Sequence, residues 1–166
     1  MADHNRVRPL LFPRSVAVVG ASPRHGRIVE EIVRSGIPAW GVHPMRDEVL
    51  GLPCFRSVAD LPDEPELTAL LVGHERVETA FAEALAAGMR AFFLPGLGNE
   101  AGAAGPEVAE RIAERAKAED AVLLGPNCMG VAAPGEGSLW IGTVPGTFRP
   151  GRVSMVTVGS PSPNSP

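Results

Sequence analysis

The sequence predicts an α/β protein built on a Rossmann-like, doubly wound and mainly parallel sheet. Three observations carry that expectation. Short continuous apolar runs alternate with segments of helical spacing, the runs end at glycine or proline, and each interval is long enough for a helix to return the chain to the same edge of the sheet. The 166 residues, 45% apolar and 20% charged, suffice for one buried core. We expect one domain over residues 1–158, with "GSPSPNSP" at 159–166 as a disordered tail.

Each element has its own reason. Ser15 to Val19, apolar throughout after its serine, ends at Gly20, the pattern of a strand covered on both faces. Ile28, Ile32 and Val33 then follow helical spacing, and Gly36 stops the helix before Ile37 to His43 turns extended. Glu66 to Val72 reads as the next strand, and the helix from Glu75 to Ala87 aligns Val77, Phe81, Ala84 and Leu85 before Gly88. "RAFFLPG" is a further strand, a helix begun by Pro106 turns Val108 and Ile112 inward, and Ala121 to Asn127 closes another β unit. After Val131 a Gly- and Pro-rich stretch is expected to cover a sheet edge, followed by a last strand at "RVSMVTV".

Composition excludes several classes. A net charge of −4 and 5% aromatic residues argue against nucleic acid as a partner. The apolar runs are too short to span a bilayer as helices, and "MADHNRVRPLLF" lacks the apolar centre of a signal peptide, so a membrane partner is not expected. Cys54 and Cys128 form no C-x-x-C unit, which fits a reducing cytoplasm. The first fifty residues nevertheless carry Arg6, Arg8, Arg14, Arg24, Arg27, Arg34 and Arg46 against five carboxylates, an excess that suits either a polyanionic ligand or a solvated face.

The break after the first strand points to phosphate. In open α/β sheets, loops at the carboxyl ends of strands present unpaired amides to anions. Here Gly20 permits close backbone approach, Ser22 adds a hydroxyl, and Gly26 opens the helix. The motif G-x-S-x-x-x-G is one residue longer than the dinucleotide fingerprint and weak by itself, so a plain strand-to-helix turn stays open. At the end of the second strand, where an NAD site offers Asp or Glu, the sequence has His43, Pro44 and then Arg46. A cation there suits a phosphorylated ribose, as in NADP or coenzyme A.

"VAVVGAS", "GVHP", "GLPCFRSVADLP", "LPGLGNEAG" and above all "LLGPNCMGV", in this order from about Leu11 to Val131, resemble the CoA-binding domain of NDP-forming acyl-CoA synthetases, relatives of the succinyl-CoA synthetase α subunit. The resemblance implies that Gly20, Ala21 and Ser22 receive the phosphate end of coenzyme A. It implies that Arg46 replaces a lysine that meets a CoA phosphate, and that Val72, Gly73 and His74 line the site, with Gly73 where the family often has proline. It places Asn127 near the thiol end. "RHG" at 24–26 departs from the family's pattern. Family members also continue into a flavodoxin-like domain bearing a phosphorylated histidine and use a nucleotide-grasp domain. The resemblance therefore implies binding of coenzyme A or acyl-CoA, with ligation needing partner domains or a partner subunit.

Other residues are read more plainly. His25, His43 and His74 each follow a strand end, but their spacing matches no metal pattern, and contact with phosphate or adenine suits them better. His4 falls in a flexible start. Cys128 fits packing better than nucleophilic chemistry, and Glu100 is the one carboxylate of the loop from Gly96 to Pro106. Three functions stay open at this point: a CoA-binding module, an NADP-dependent reductase or nucleotide-sensing domain, and an interaction domain that has lost its ligand.

Overall fold

The computed structural model describes residues 4–132, 141–142 and 151. The chain runs α1 (His4–Leu11), β1 (Val16–Val19), α2 (Gly26–Arg34), β2 (Ala39–Val42), β3 (Glu48–Val49), β4 (Leu52–Phe55), β5 (Leu67–Leu70), α3 (His74–Ala86), β6 (Ala91–Phe93), α4 (Gly105–Ala118), β7 (Val122–Leu124), β8 (Gly130–Val131) and β9 (Ile141–Gly142). Seven strands form one sheet in the order β3-β4-β2-β1-β5-β6-β7, parallel throughout except for β3. This is the Rossmann-like architecture read from the sequence.

β1 lies at the centre because all four of its residues are apolar and buried, as a strand covered on both faces must be. On one face, Val16, Val18, Leu67, Ala69 and Phe93 pack with Ile28, Val29 and Ile32 of α2. On the other, Val19, Leu70 and Phe92 pack with Val77, Phe81 and Ala84 of α3 and Val108 and Ile112 of α4. The chain leaves β1 toward β2 on one side and later returns to β5 on the other. That reversal opens a crevice above the carboxyl ends of β1 and β5, where open sheets of this kind place ligands.

Three features differ from the sequence reading or extend it. His4, read as part of a flexible start, begins a helix: α1 packs on β6 and β7, and Arg6 pairs with Asp120 at 2.6 Å. Tertiary contact outweighs the poor local signal of a segment with Pro9 inside it. The segment between β2 and β5 contains a hairpin, β3 and β4, turned by Leu50 and Gly51 at φ 52° and 82°. The expected loop at 96–106 contains a 3₁₀ turn, Asn99–Ala104. The expected last strand and tail lie outside the described residues; of the stretch after Val131, β9 pairs antiparallel with β8. No described helix is long and apolar enough to cross a membrane.

At the amino end of the sheet, Arg14 donates its backbone N–H to Glu66 Oε2 at 2.7 Å, and its guanidinium pairs with the same carboxylate. Burial raises the proton affinity of Glu66, but the Arg14 bonds together outweigh it and hold the carboxyl below its ordinary value of 4.5. The stabilisation is therefore complete above that value and fades as pH falls through the lower folded one. Glu66→Gln is expected to lower stability modestly at neutral pH, with the gap to the parent closing in acid. Urea titrations at several pH values check this, and a gap of constant size would remove the charge from the account.

Candidate functional site

The crevice is built from three neighbouring strand ends. After β1, Gly20 takes φ 84°, and its N–H bonds to the Val42 carbonyl at 2.9 Å. A Cβ at this position would lie 2.6 Å from the Leu71 carbonyl oxygen and 2.5 Å from Val72 Cγ1. Only glycine fits, because both the left-handed backbone and the contact with the β5 loop forbid a side chain. Ala21 is fully buried in the core on the α2 side of the sheet, while Ser22 is half-buried.

The departing segment at 24–26 forms a short 3₁₀ turn, Pro23–His25, leading into α2. His25 ties this turn back on itself. Its Nδ1 lies 3.3 Å from the Ser22 hydroxyl, its backbone N–H bonds the Ser22 carbonyl at 3.0 Å, and its ring also bonds the Gly20 carbonyl. Burial, helped by the nearby Arg24 charge, outweighs the Gly20 bond and lowers its proton affinity, so the ring is neutral near pH 7. His25 thus serves the shape of the loop.

At the end of β2 the His43 N–H bonds the Phe55 carbonyl at 2.9 Å. Its Nδ1 accepts the backbone N–H groups of both Met45 and Arg46, each at 3.1 Å. From outside, Arg56 donates to the Arg46 carbonyl at 3.1 Å and pairs with Asp47 at 2.5 Å. Pro44 and Arg46 are exposed, and no described carboxylate pairs with Arg46.

After β5, the Leu71 N–H bonds the Val19 carbonyl at 2.8 Å, drawing this loop onto the glycine corner. Val72 is half-buried, and Gly73 caps α3 at φ −65° with open space around its Cα. That φ is the one proline imposes, so the family's common residue would meet the same backbone course. His74 begins α3, and Arg76 follows in its first turn. Burial first, then the charges of Arg46, Arg56 and Arg76, depress the proton affinity of His43. Three guanidinium groups from three elements therefore share one electropositive neighbourhood.

Asn127 lies apart. Its N–H bonds the Gly96 carbonyl at 2.7 Å, and it is exposed beyond β7 on the same carboxyl edge. β7 is three strand spacings from β1, about 14 Å. Cys128 is half-buried, packs against the α2-side core and accepts the Gly130 N–H at 3.4 Å, in keeping with a packing role. Among the described residues no three His, Cys, Asp or Glu side chains cluster as metal ligands would. A separate cavity of about 340 Å³ lies along β7 among Arg6, Lys117, Asp120 and Gly125, outside the crevice.

Of the residues singled out from sequence, Gly20–Ser22, then His43, Pro44 and Arg46, then Val72–His74 follow the ends of three adjacent strands. Arg56 and Arg76 were missed. Arg76 had a readable signal, since a cation in the first turn of a helix opposes the helix dipole and is better explained by an anion. Arg56 follows a strand that sequence pattern did not reveal.

Fold and crevice define a Rossmann-like domain with a glycine corner at its topological switch. A family model described as "CoA binding domain" matches residues 14–134, and the chain belongs to that family. The chain is 29% identical over 157 residues to acetate–CoA ligase (ADP-forming) II of Archaeoglobus fulgidus, covering 90% of this chain and 23% of the relative. It is 32% identical over 128 residues to acetate–CoA ligase (ADP-forming) I of the same organism, covering 74% and 18%. Acetyl-coenzyme A synthetase 1 of Ca. Korarchaeum cryptofilum, solved with phosphate and ADP, superposes with a TM-score of 0.66 at 28% identity, over 76% of this chain and 28% of that one. The chain thus spans about a quarter or less of these curated relatives and is homologous to the CoA-binding region of NDP-forming acyl-CoA synthetases. That match favours coenzyme A over the NADP alternative.

Proposed function

We propose that this chain binds coenzyme A in the crevice between β1 and β5 and acts as the CoA-binding part of an NDP-forming acyl-CoA synthetase. A phosphate of the ligand sits at the corner of Gly20, Ala21 and Ser22, closest to the half-buried Ser22, where the start of α2 favours negative charge. The phosphorylated ribose meets Arg46 and Arg76, with Pro44, Val72, Gly73 and His74 forming the walls. The thiol arm extends along the carboxyl edge toward Asn127. Bound coenzyme A supplies the thiol that accepts an acyl group. The chain's own residues bind and orient it, while the phosphoryl-carrying histidine and nucleotide-grasp functions belong to further domains or a partner subunit, in the cytoplasm.

The observation that carries this reading is the meeting of the Gly20 corner with two guanidinium groups lacking described carboxylate partners, in a chain of the CoA-binding family. Calorimetric titration with CoA, dephospho-CoA, NADP and NAD tests it. CoA is expected to bind most tightly. Arg46→Ala and Arg76→Ala are each expected to weaken CoA about tenfold, the low end for a charge-assisted contact, with little change for dephospho-CoA. Preference for NADP, or no binding of any of the four, would overturn the proposal.

A further inference from the structure

The end of β2 contains a histidine whose ring faces its own backbone. We propose that His43 is a positioning residue that aims Arg46: its unprotonated Nδ1 gathers the Met45 and Arg46 amides and so fixes the loop from which the Arg46 guanidinium projects. This rests on the CoA reading above and deepens it.

The geometry is specific. Both amides approach one nitrogen at 3.1 Å, so that nitrogen is an acceptor and the ring proton sits on Nε2. His43 is itself held by the Phe55 carbonyl, and Cys54 donates its backbone N–H to the Asp47 carbonyl at 2.8 Å. Arg56 closes the outer side through the Arg46 carbonyl and Asp47. Inside this frame the ring is a side-chain acceptor shared by two successive amides of a four-residue bend, the job that Asn or Asp performs in an Asx turn.

The arrangement depends on protonation. A proton on Nδ1 converts the acceptor into a donor facing two other donors, and the bend loses both bonds. The charged groups around the ring are Arg46 on its own loop, Arg56 beyond β4 and Arg76 on α3, while Asp47 is committed to Arg56. With burial, these depress the proton affinity of His43 below the ordinary histidine value, so the loop opens at more acidic pH than a free imidazole would titrate. Imidazolium would also add a positive charge near an anionic ligand, but that charge is partly exposed and screened, whereas the loop sets where Arg46 points. The phosphate monoester of coenzyme A loses charge over a similar pH range, so the comparison must be between variants at each pH.

The experiment uses the full chain as parent, His43→Ala and His43→Asn, with CoA titrated calorimetrically between pH 8 and pH 5. His43→Ala is expected to weaken CoA about tenfold at pH 7.5, and His43→Asn, whose Oδ1 accepts the same amides, to restore most of that loss. The affinity of the parent should fall more steeply in acid than that of His43→Asn. A His43→Ala protein that binds like the parent, or identical pH profiles for parent and His43→Asn, would overturn the proposal. Amide hydrogen exchange at Met45 and Arg46 provides a readout independent of ligand: protection should be lost in His43→Ala and kept in His43→Asn. If no form binds CoA, the functional reading fails, while unchanged protection in His43→Ala refutes the positioning role by itself.

Discussion

Gly20→Val is expected to abolish coenzyme A binding and to cost about 3 kcal/mol or more of stability. The left-handed backbone costs an L-residue about 1–2 kcal/mol. Forcing atoms into a packed site adds about 1–3 kcal/mol. The Cβ alone would meet the Leu71 carbonyl oxygen at 2.6 Å, and branching at that carbon leaves no rotamer to escape through. Relief requires the β1 and β5 loops to part, which removes the crevice. Gly36 is the control: it has φ 71°, yet nothing lies within 4 Å of the Cβ position. Gly36→Ala should therefore cost only the backbone penalty, about 1 kcal/mol, and leave CoA affinity unchanged. Calorimetry with urea unfolding separates the two effects, and a Gly20→Val protein that binds CoA like the parent would remove the corner from the site.

Phe92→Ala should give the largest loss of stability, about 3–5 kcal/mol. Phe92 is fully buried in β6 and meets Phe81 of α3 edge to face, with ring centroids 4.6 Å apart and planes at 67°. Truncation removes the apolar burial, opens a cavity among well-packed neighbours and forfeits the ring pair, itself worth about 0.5–1.5 kcal/mol. Because domains are stable by only about 5–15 kcal/mol, this change consumes a large share. The urea midpoint should fall with an unchanged slope. A shift below about 1 kcal/mol would contradict a close-packed interface between sheet and α3.

The central architecture was legible because its signals are local and repeated. β1, β2, β5, β6 and β7 are short apolar runs, and the buried stripes of α2, α3 and α4 follow helical spacing. The strand ends that form the crevice follow from that order. Less legible were elements whose stability is not local. α1 is short and contains Pro9, and it forms against β6 and β7. β3 has two residues and depends on a turn with Leu50 at positive φ, a position sequence pattern assigns to Gly or Asn. In the candidate site, Gly20 and Arg46 were readable, because their residue types point to a chemistry. His25 and His43 were not, since the partners of both rings are loop hydroxyl and backbone groups brought into reach by the folded turn. Arg56 was hidden with β4.

The position of β1 has a bearing on how the protein is made. Its residue Val16 pairs with Ala39 on one side and with Leu67 on the other, so the middle of the sheet is complete only when distant chain segments have met. Such long-range closure slows folding relative to local structure. During synthesis the first half of the chain can assemble β1, α2 and β2, but the wall contributed by Leu71 and Val72 arrives later. On the proposed reading, coenzyme A finds its crevice only after the second half has emerged and docked, and a nascent chain halted before β5 is expected not to bind it.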